Sequence, residues 1–161
     1  NKADMIYTIN IDYVDMCDND FVHNLYILSQ RLGDKVSNIL LELKLDSQTR
    51  ENFEKVMDFS EIAHKNGFKI GFDNVTLDQI DFRSFIGLTP KFFKIDSSSI
   101  SEIVENNKVM FKNFIASLTD SVGIAVIATK VEKQEDIDDA VELGIEFFQG
   151  WFISKTENLL V

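Results

Sequence analysis

The chain has one cysteine, one proline, two histidines and seven glycines in 161 residues. A lone Cys17 cannot close an internal disulfide, so the fold must rest on a packed core. So little proline and glycine leaves no hinge rich in either, and no low-complexity tract or long repeat divides the chain, which is expected to form one unit over residues 1–161. Basic residues are scarce: 16 Lys and Arg stand against 27 Asp and Glu, a formal charge of −11. They do not cluster, which disfavours a nucleic-acid polymer as partner. Acidic residues interrupt the apolar runs short of the roughly 18 that a membrane span needs. No signal-peptide pattern opens the chain, so a reducing cytoplasm is the simplest expectation. What is abundant is apolar bulk, 45% of residues with 14 Phe. That suffices for a core, although the length is short for a closed α/β barrel.

Short β-branched or aromatic runs alternate with longer helical patterns, which predicts an α/β fold. Strands are expected at Met5–Ile11, Ile39–Leu43, Phe68–Asp73, Lys91–Asp96, Ile124–Ala128 and Glu146–Gln149. Their near-continuous apolar character predicts a parallel sheet covered by helices. A helix is expected from about Asp18 to Leu32, with Phe21, Val22, Leu25, Leu28 and Leu32 on one face and Gly33 as its stop. Another runs from an N-cap at Ser47, through Phe53, Val56, Met57, Ser60, Ile62 and Ala63, to Asn66-Gly67. With six strands readable, the architecture is either an open sheet or an eight-stranded barrel without its opening.

The strand ends carry the chemistry. Asn10, Glu42, Asp73, Lys94 to Asp96, Thr129 and Gln149 stand at or near C-terminal strand ends, the edge where parallel α/β sheets bind ligands. Asn10, Glu42 and Asp73 offer an amide oxygen and two carboxylates, a set suited to Mg²⁺, Ca²⁺ or Mn²⁺ and not to zinc. Lys94 could stabilise a phosphate oxygen or polarise a metal-bound water. Charged strand-end residues are usually only solvated. Glu42 and Lys94, however, lie inside apolar runs, where solvation alone explains a charge poorly.

In order along the chain, Ile9-Asn10-Ile11-Asp12, Leu41-Glu42-Leu43-Lys44, Phe72-Asp73-Asn74-Val75, Lys94-Ile95-Asp96, Ala128-Thr129-Lys130-Val131-Glu132 and Gln149-Gly150-Trp151-Phe152 resemble the EAL-domain phosphodiesterases that hydrolyse cyclic di-GMP. The intervals are similar too, with 32 positions from Asn10 to Glu42, 21 from Asp73 to Lys94 and 20 from Thr129 to Gln149. The resemblance implies a TIM-like (β/α) barrel of the EAL type, whose mouth holds two divalent cations over the phosphodiester. It implies metal ligands at Asn10, Glu42 and Asp73, the active-site lysine at Lys94, a retained glutamate at Glu132 and a nucleotide-contacting glutamine at Gln149. The chain opens on the strand of Asn10. The expected barrel is therefore incomplete, about the C-terminal two-thirds of a full domain, without the strand that bears Glu-Ala-Leu.

Departures from the family pattern are as telling. Its paired Asp-Asp is Asp73-Asn74 here, which removes a charge that would help hold a second cation. Thr129 replaces the first Glu of Ala-Glu-Gly-Val-Glu, and a hydroxyl is neither a strong ligand nor a base near neutral pH. Lys130 replaces the glycine that follows. The loop Asp73 to Asp78 has neither of the family's glycines, and Leu45 stands for a second Glu after Glu42. A remodelled loop is expected, with Mg²⁺ or Mn²⁺ held weakly or not at all.

The smaller candidates have plain explanations. His23 and His64 lie on helices a whole βα unit apart and read as surface or half-buried residues. Cys17 sits in an acidic loop, a poor setting for a reactive thiol. Ser97 to Ser99 reads as an N-cap region, Glu135 to Asp139 as a solvated helix face, and Phe147, Phe148, Trp151 and Phe152 mostly as barrel core, although such rings can stack on a base.

Three functions follow from the resemblance. The favoured one is a degenerate domain that does not turn over cyclic di-GMP and acts as a regulatory or interaction module in bacterial signalling. The others are a non-hydrolysing cyclic di-GMP receptor and an active metal-dependent phosphodiesterase. Arg31, Arg50 and Arg83 all lie away from strand ends, which favours the module over a metal-free receptor. A protein partner, a homodimer, or a GGDEF or sensory domain in the same protein is what the resemblance implies.

Overall fold

The structure, a computed structural model, describes residues 6–76 and 87–154. Six strands alternate with helices. In chain order they are β1 (Tyr7–Ile11), α1 (Tyr13–Cys17), α2 (Asn19–Leu32), a 3₁₀ segment (Gly33–Asn38), β2 (Ile39–Lys44), α3 (Ser47–Glu51), α4 (Phe53–Lys65) and β3 (Lys69–Asp73). There follow β4 (Phe92–Asp96), α5 (Ser97–Ala116), a π-helical segment (Ser117–Val122), β5 (Ala125–Thr129), α6 (Gln134–Glu142) and β6 (Phe147–Phe148). The chain divides into two compact units, which among the described residues comprise 6–74 with 87–91, and 75–76 with 92–154.

In the first unit β1, β2 and β3 are parallel, with Asn10 opposite Glu42 and Lys44 opposite Asp73. Alternation sends Ile11, Leu41, Leu43, Ile70 and Phe72 to one face, all buried. Helices contribute Leu25, Val56, Phe59 and Ala63 to the same core. Emptying the site of Phe59, 2% exposed, would cost roughly 3–5 kcal/mol. Helix α2 starts where Asp18 accepts the N–H groups of Asp20 and Phe21 and ends at Gly33, as the sequence predicts. Helix α4 ends as Gly67 turns to φ +84°, and the Gly67 and Phe68 N–H groups bond back to His64 and Ala63.

In the second unit β4, β5 and β6 are parallel, with Asp96 opposite Thr129 and Ala128 opposite Phe148. Phe93, Ile95, Val126 and Ala128 line the buried face, with Ile100, Ile115, Ala140 and Leu143. The alternate positions, Phe92, Lys94, Asp96, Ala125 and Ile127, are only half-buried. This face carries the strand-end polar groups.

Several local expectations need correction. Asp46, not Ser47, caps α3, and a break at Asn52 separates α3 from α4. Asp96, not the serine run, caps α5, because its carboxylate accepts both the N–H and the hydroxyl of Ser98. An aspartate one residue earlier outcompetes serine as the acceptor. Cys17 ends α1 and does not lie in a loop. Phe147, Trp151 and Phe152 are 55%, 65% and 48% exposed, not core, since the short β6 pairs only with β5 among the described residues.

Candidate functional site

In the first unit, Asn10 and Glu42 are register partners on one sheet face, and Asp73 lies on that face two residues beyond Gly71, which is opposite Glu42. Glu42 is 6% exposed, whereas Asn10 is exposed and Asp73 half-buried. Lys44, the register partner of Asp73, reaches Asp12 at 3.5 Å. A lysine ammonium thus shares the strand-end edge with the acidic groups.

Asn74 adopts φ +58°, a left-handed conformation that asparagine tolerates better than most residues. Its amide nitrogen donates to the Leu45 carbonyl at 2.9 Å, and the Leu45 N–H donates to the Asp73 carbonyl at 3.0 Å. Leu45 is 1% exposed. Two positions that depart from the family pattern therefore touch each other: an amide clamps the loop onto a buried leucine's backbone. Leu77 and Asp78, the rest of the expected loop change, lie outside the described residues.

In the second unit, Lys94 is half-buried and shares a face with Asp96. Its ammonium stands 5.5 Å from the centre of the Phe92 ring, a favourable cation–π distance. Thr129 is buried and its hydroxyl donates to the Ile95 carbonyl at 3.2 Å, so the side chain is spent on β4's backbone. Lys130 takes φ +56°. Its carbonyl accepts the Ser97 hydroxyl at 3.0 Å, and its ammonium pairs with the Asp96 carboxylate. Burial alone would push the Asp96 pKa up, but hydrogen bonds from Lys130 and Ser98, with the lysine's charge, bring it below the ordinary value. A non-glycine residue in this backbone region costs about 1–2 kcal/mol, while an exposed ion pair contributes roughly 0.2–1 kcal/mol. Stability alone does not explain a lysine here.

Glu132 is exposed, and its loop is held by a residue that the sequence pattern did not single out. Asp136, expected on a solvated face, is 7% exposed, and its carboxylate accepts the N–H groups of Glu132 and Lys133 at 2.8 and 3.1 Å. The signal was available: an Asp in the first turn of a helix, three to four residues after the loop it closes. Gln149 is exposed. Its backbone bridges two strands' ends, with Gln149 N–H on the Ala128 carbonyl at 2.8 Å and its own carbonyl accepting Val131 N–H at 3.2 Å. Gly150 next to it lies so close to Val131 that a Cβ would stand 2.2 Å from that residue's carbonyl oxygen.

Other features stand apart from these positions. His64 contacts the Leu88 carbonyl through Nε2 at 2.6 Å, and His23 stacks near Tyr26 on the surface. A cavity of about 470 Å³ opens at the N-terminal ends of β5 and β6, between Lys112, Asp120, Glu146 and Phe147, away from the strand ends that carry the family positions. Among the described residues, no group of three His, Cys, Asp or Glu side chains is placed to hold a metal ion, and no helix is long and apolar enough to cross a membrane.

Comparison with known proteins places these observations. The EAL domain family model matches residues 1–156. A probable cyclic di-GMP phosphodiesterase, PdeA of Escherichia coli (strain K12), is 24% identical over 154 residues, which are 95% of this chain and 21% of that protein. The EAL enzyme Bd1971, in its form bound to cAMP and cyclic di-GMP, superposes with a TM-score of 0.70 at 25% identity over 93% of this chain and 40% of its own. The Bacillus subtilis YkuI protein, with an EAL domain and in complex with cyclic di-GMP and calcium, gives a TM-score of 0.70 at 17% identity over 99% of this chain and 40% of its own. The chain thus spans about a fifth of the matched PdeA and two-fifths of those structures. The shared fold is the TIM-like (β/α) barrel, incomplete here, with six parallel strands alternating with helices.

Proposed function

The chain belongs to the EAL domain family, and from that membership we propose that it serves cyclic di-GMP signalling as a regulatory or interaction module that does not hydrolyse the dinucleotide. The observation that carries this reading is the end of β5. There, Thr129 gives its hydroxyl to the Ile95 carbonyl and Lys130 sets an ammonium against Asp96, where the family pattern has a carboxylate followed by glycine. A hydroxyl bound to a backbone carbonyl takes up no proton from water and supplies no charge to a cation. The amide of Asn74, tied to Leu45, supports the same reading from the other unit.

A divalent metal is what membership implies, and the YkuI structure is a complex with both cyclic di-GMP and calcium. When bound, such an ion activates a water and neutralises the phosphodiester. The donors of the first unit, Asn10, Glu42 and Asp73 on one face, fit a single oxygen-coordinated cation. Neither Asn74 in the first unit nor Thr129 in the second brings a carboxylate to a cation; the Asn74 amide nitrogen and the Thr129 hydroxyl each donate to a backbone carbonyl of their own unit. On this reading Lys94, Glu132 and Gln149 are retained contacts without a complete hydrolytic apparatus.

The test is direct. The whole protein that carries this chain, incubated with cyclic di-GMP and Mg²⁺ or Mn²⁺, is expected to release no linear pGpG on chromatography. Clear release, abolished by Glu42→Ala, overturns the proposal.

A further inference from the structure

We propose that the cavity at the N-terminal ends of β5 and β6 is a binding site for a small organic cation, an amine carried on an apolar or aromatic body. All its lining residues belong to the second unit. It lies at the opposite end of β5 from Thr129: Ala125 lines it, and Thr129 stands four residues further on, a rise of about 13 Å. Its volume of about 470 Å³ falls in the range of small-molecule sites. The floor is hydrocarbon, with Ile124, Val126 and Leu143 all fully buried.

The rim selects the charge of the ligand. Asp120, Glu146 and Lys112 border the cavity, two carboxylates against one ammonium. Two helix ends add to the same sign. The helical run of α5 and the π-helical segment stops at Gly123, α6 stops at Leu143, and both of these residues line the cavity. A helix C-terminus carries roughly half an elementary negative charge, and no basic residue occupies the last turn of α5, the π-helical segment or α6. Lys108 pairs with Glu142 at the end of α6 and offsets that carboxylate only. Phe147 presents an exposed ring at the mouth, a face on which an ammonium can rest. A cation therefore meets carboxylates, carbonyl ends and a ring, whereas an anion meets Lys112 alone. A metal ion fits less well, because among the described residues no three His, Cys, Asp or Glu side chains are grouped to hold one. Thr119 and Asp120 bring the π-helical segment into the cavity wall, and that rare backbone form recurs at functional sites.

The experiment titrates the whole protein that carries this chain with 2-phenylethylamine by calorimetry at neutral pH, with 2-phenylethanol and phenylacetate as neutral and anionic counterparts. The amine is expected to bind about 10-fold or more tightly than either, as a charge-assisted contact adds. Asp120→Asn combined with Glu146→Gln should weaken the amine about 10-fold. Ala116→Phe, which sets a ring into the cavity from an exposed helix position, should abolish binding. Lys112→Met should instead tighten it, a gain that a misfolded variant cannot imitate. Equal binding of amine and alcohol, tighter binding of phenylacetate, a double variant that binds as the parent does, or a Lys112→Met variant no tighter than the parent overturns the site. So does an absence of heat with low-millimolar amine, the result expected if another part of the whole protein fills the cavity. All of these outcomes leave the non-hydrolysing reading standing, because it rests on the other end of β5.

Discussion

Replacing Gly150 by alanine should be among the most damaging single-methyl changes in this protein. The new Cβ would stand 2.2 Å from the Val131 carbonyl oxygen, 2.3 Å from its nitrogen and 2.7 Å from its carbonyl carbon. All three are backbone atoms, so no rotamer change relieves the contact, and Val131 must retreat by more than 1 Å to reach ordinary van der Waals distance. That retreat strains the two bonds that tie Val131 to the turn, from its N–H to Gln149 and from Phe152 N–H to its carbonyl. Overpacking costs typically about 1–3 kcal/mol, and two backbone bonds add about 0.5–1.5 kcal/mol each. The expected loss is roughly 4 kcal/mol, a large part of the stability of an ordinary domain. At a slope of about 2 kcal/mol/M the urea midpoint should fall by roughly 2 M. Gly123→Ala is the control for backbone strain without a clash, because Gly123, unlike Gly150, has positive φ, +75°, and open space around a Cβ. It should lose only the backbone strain, about 1 kcal/mol. Equal midpoint shifts for the two variants would refute the close-approach explanation.

Two further outcomes are expected. Asp136→Ala removes the acceptor for two backbone N–H groups, which should cost about 2–3 kcal/mol and speed hydrogen exchange at the Glu132 and Lys133 amides, while unchanged exchange there would contradict the loop-holding role. Asp96 has a folded pKa below its ordinary value despite its burial, because Lys130 and Ser98 favour its charged form. Its contribution is therefore complete above the ordinary aspartate range and is lost as pH falls through the folded value. Acid titration of stability should show this loss in the parent and not in Asp96→Asn; identical acid limbs would contradict it.

Strand positions, parallel pairing and the span of α2 were legible in the sequence because apolar period and stop signals agree with the packing. The run Leu40 to Leu43 is buried as its composition predicts, and Asn66-Gly67 ends α4 because glycine suits the left-handed turn. Caps were misplaced by one residue at Ser47 and Ser97, where two adjacent acceptors compete and only geometry decides. Exposure at Phe147 and Trp151 was illegible, since hydrophobicity states a preference for burial and not the neighbours that satisfy it. At the site, sequence pattern identified Asn74, Thr129 and Lys130 as departures. What it could not give was their new attachments: Asn74 to Leu45, Thr129 to Ile95 and Lys130 to Asp96 each join residues 29 to 34 positions apart.

The account turns on an amide at Asn74 and a hydroxyl at Thr129, each in its own unit, supplying no negative charge to a cation. Manganese binding to the whole protein, counted by titration calorimetry together with electron paramagnetic resonance of the bound metal, tests this most directly. At most one Mn²⁺ per chain, with no spin coupling between ions, is the predicted result. Two tightly held, magnetically coupled Mn²⁺ ions, both lost in Asp73→Ala, would contradict it.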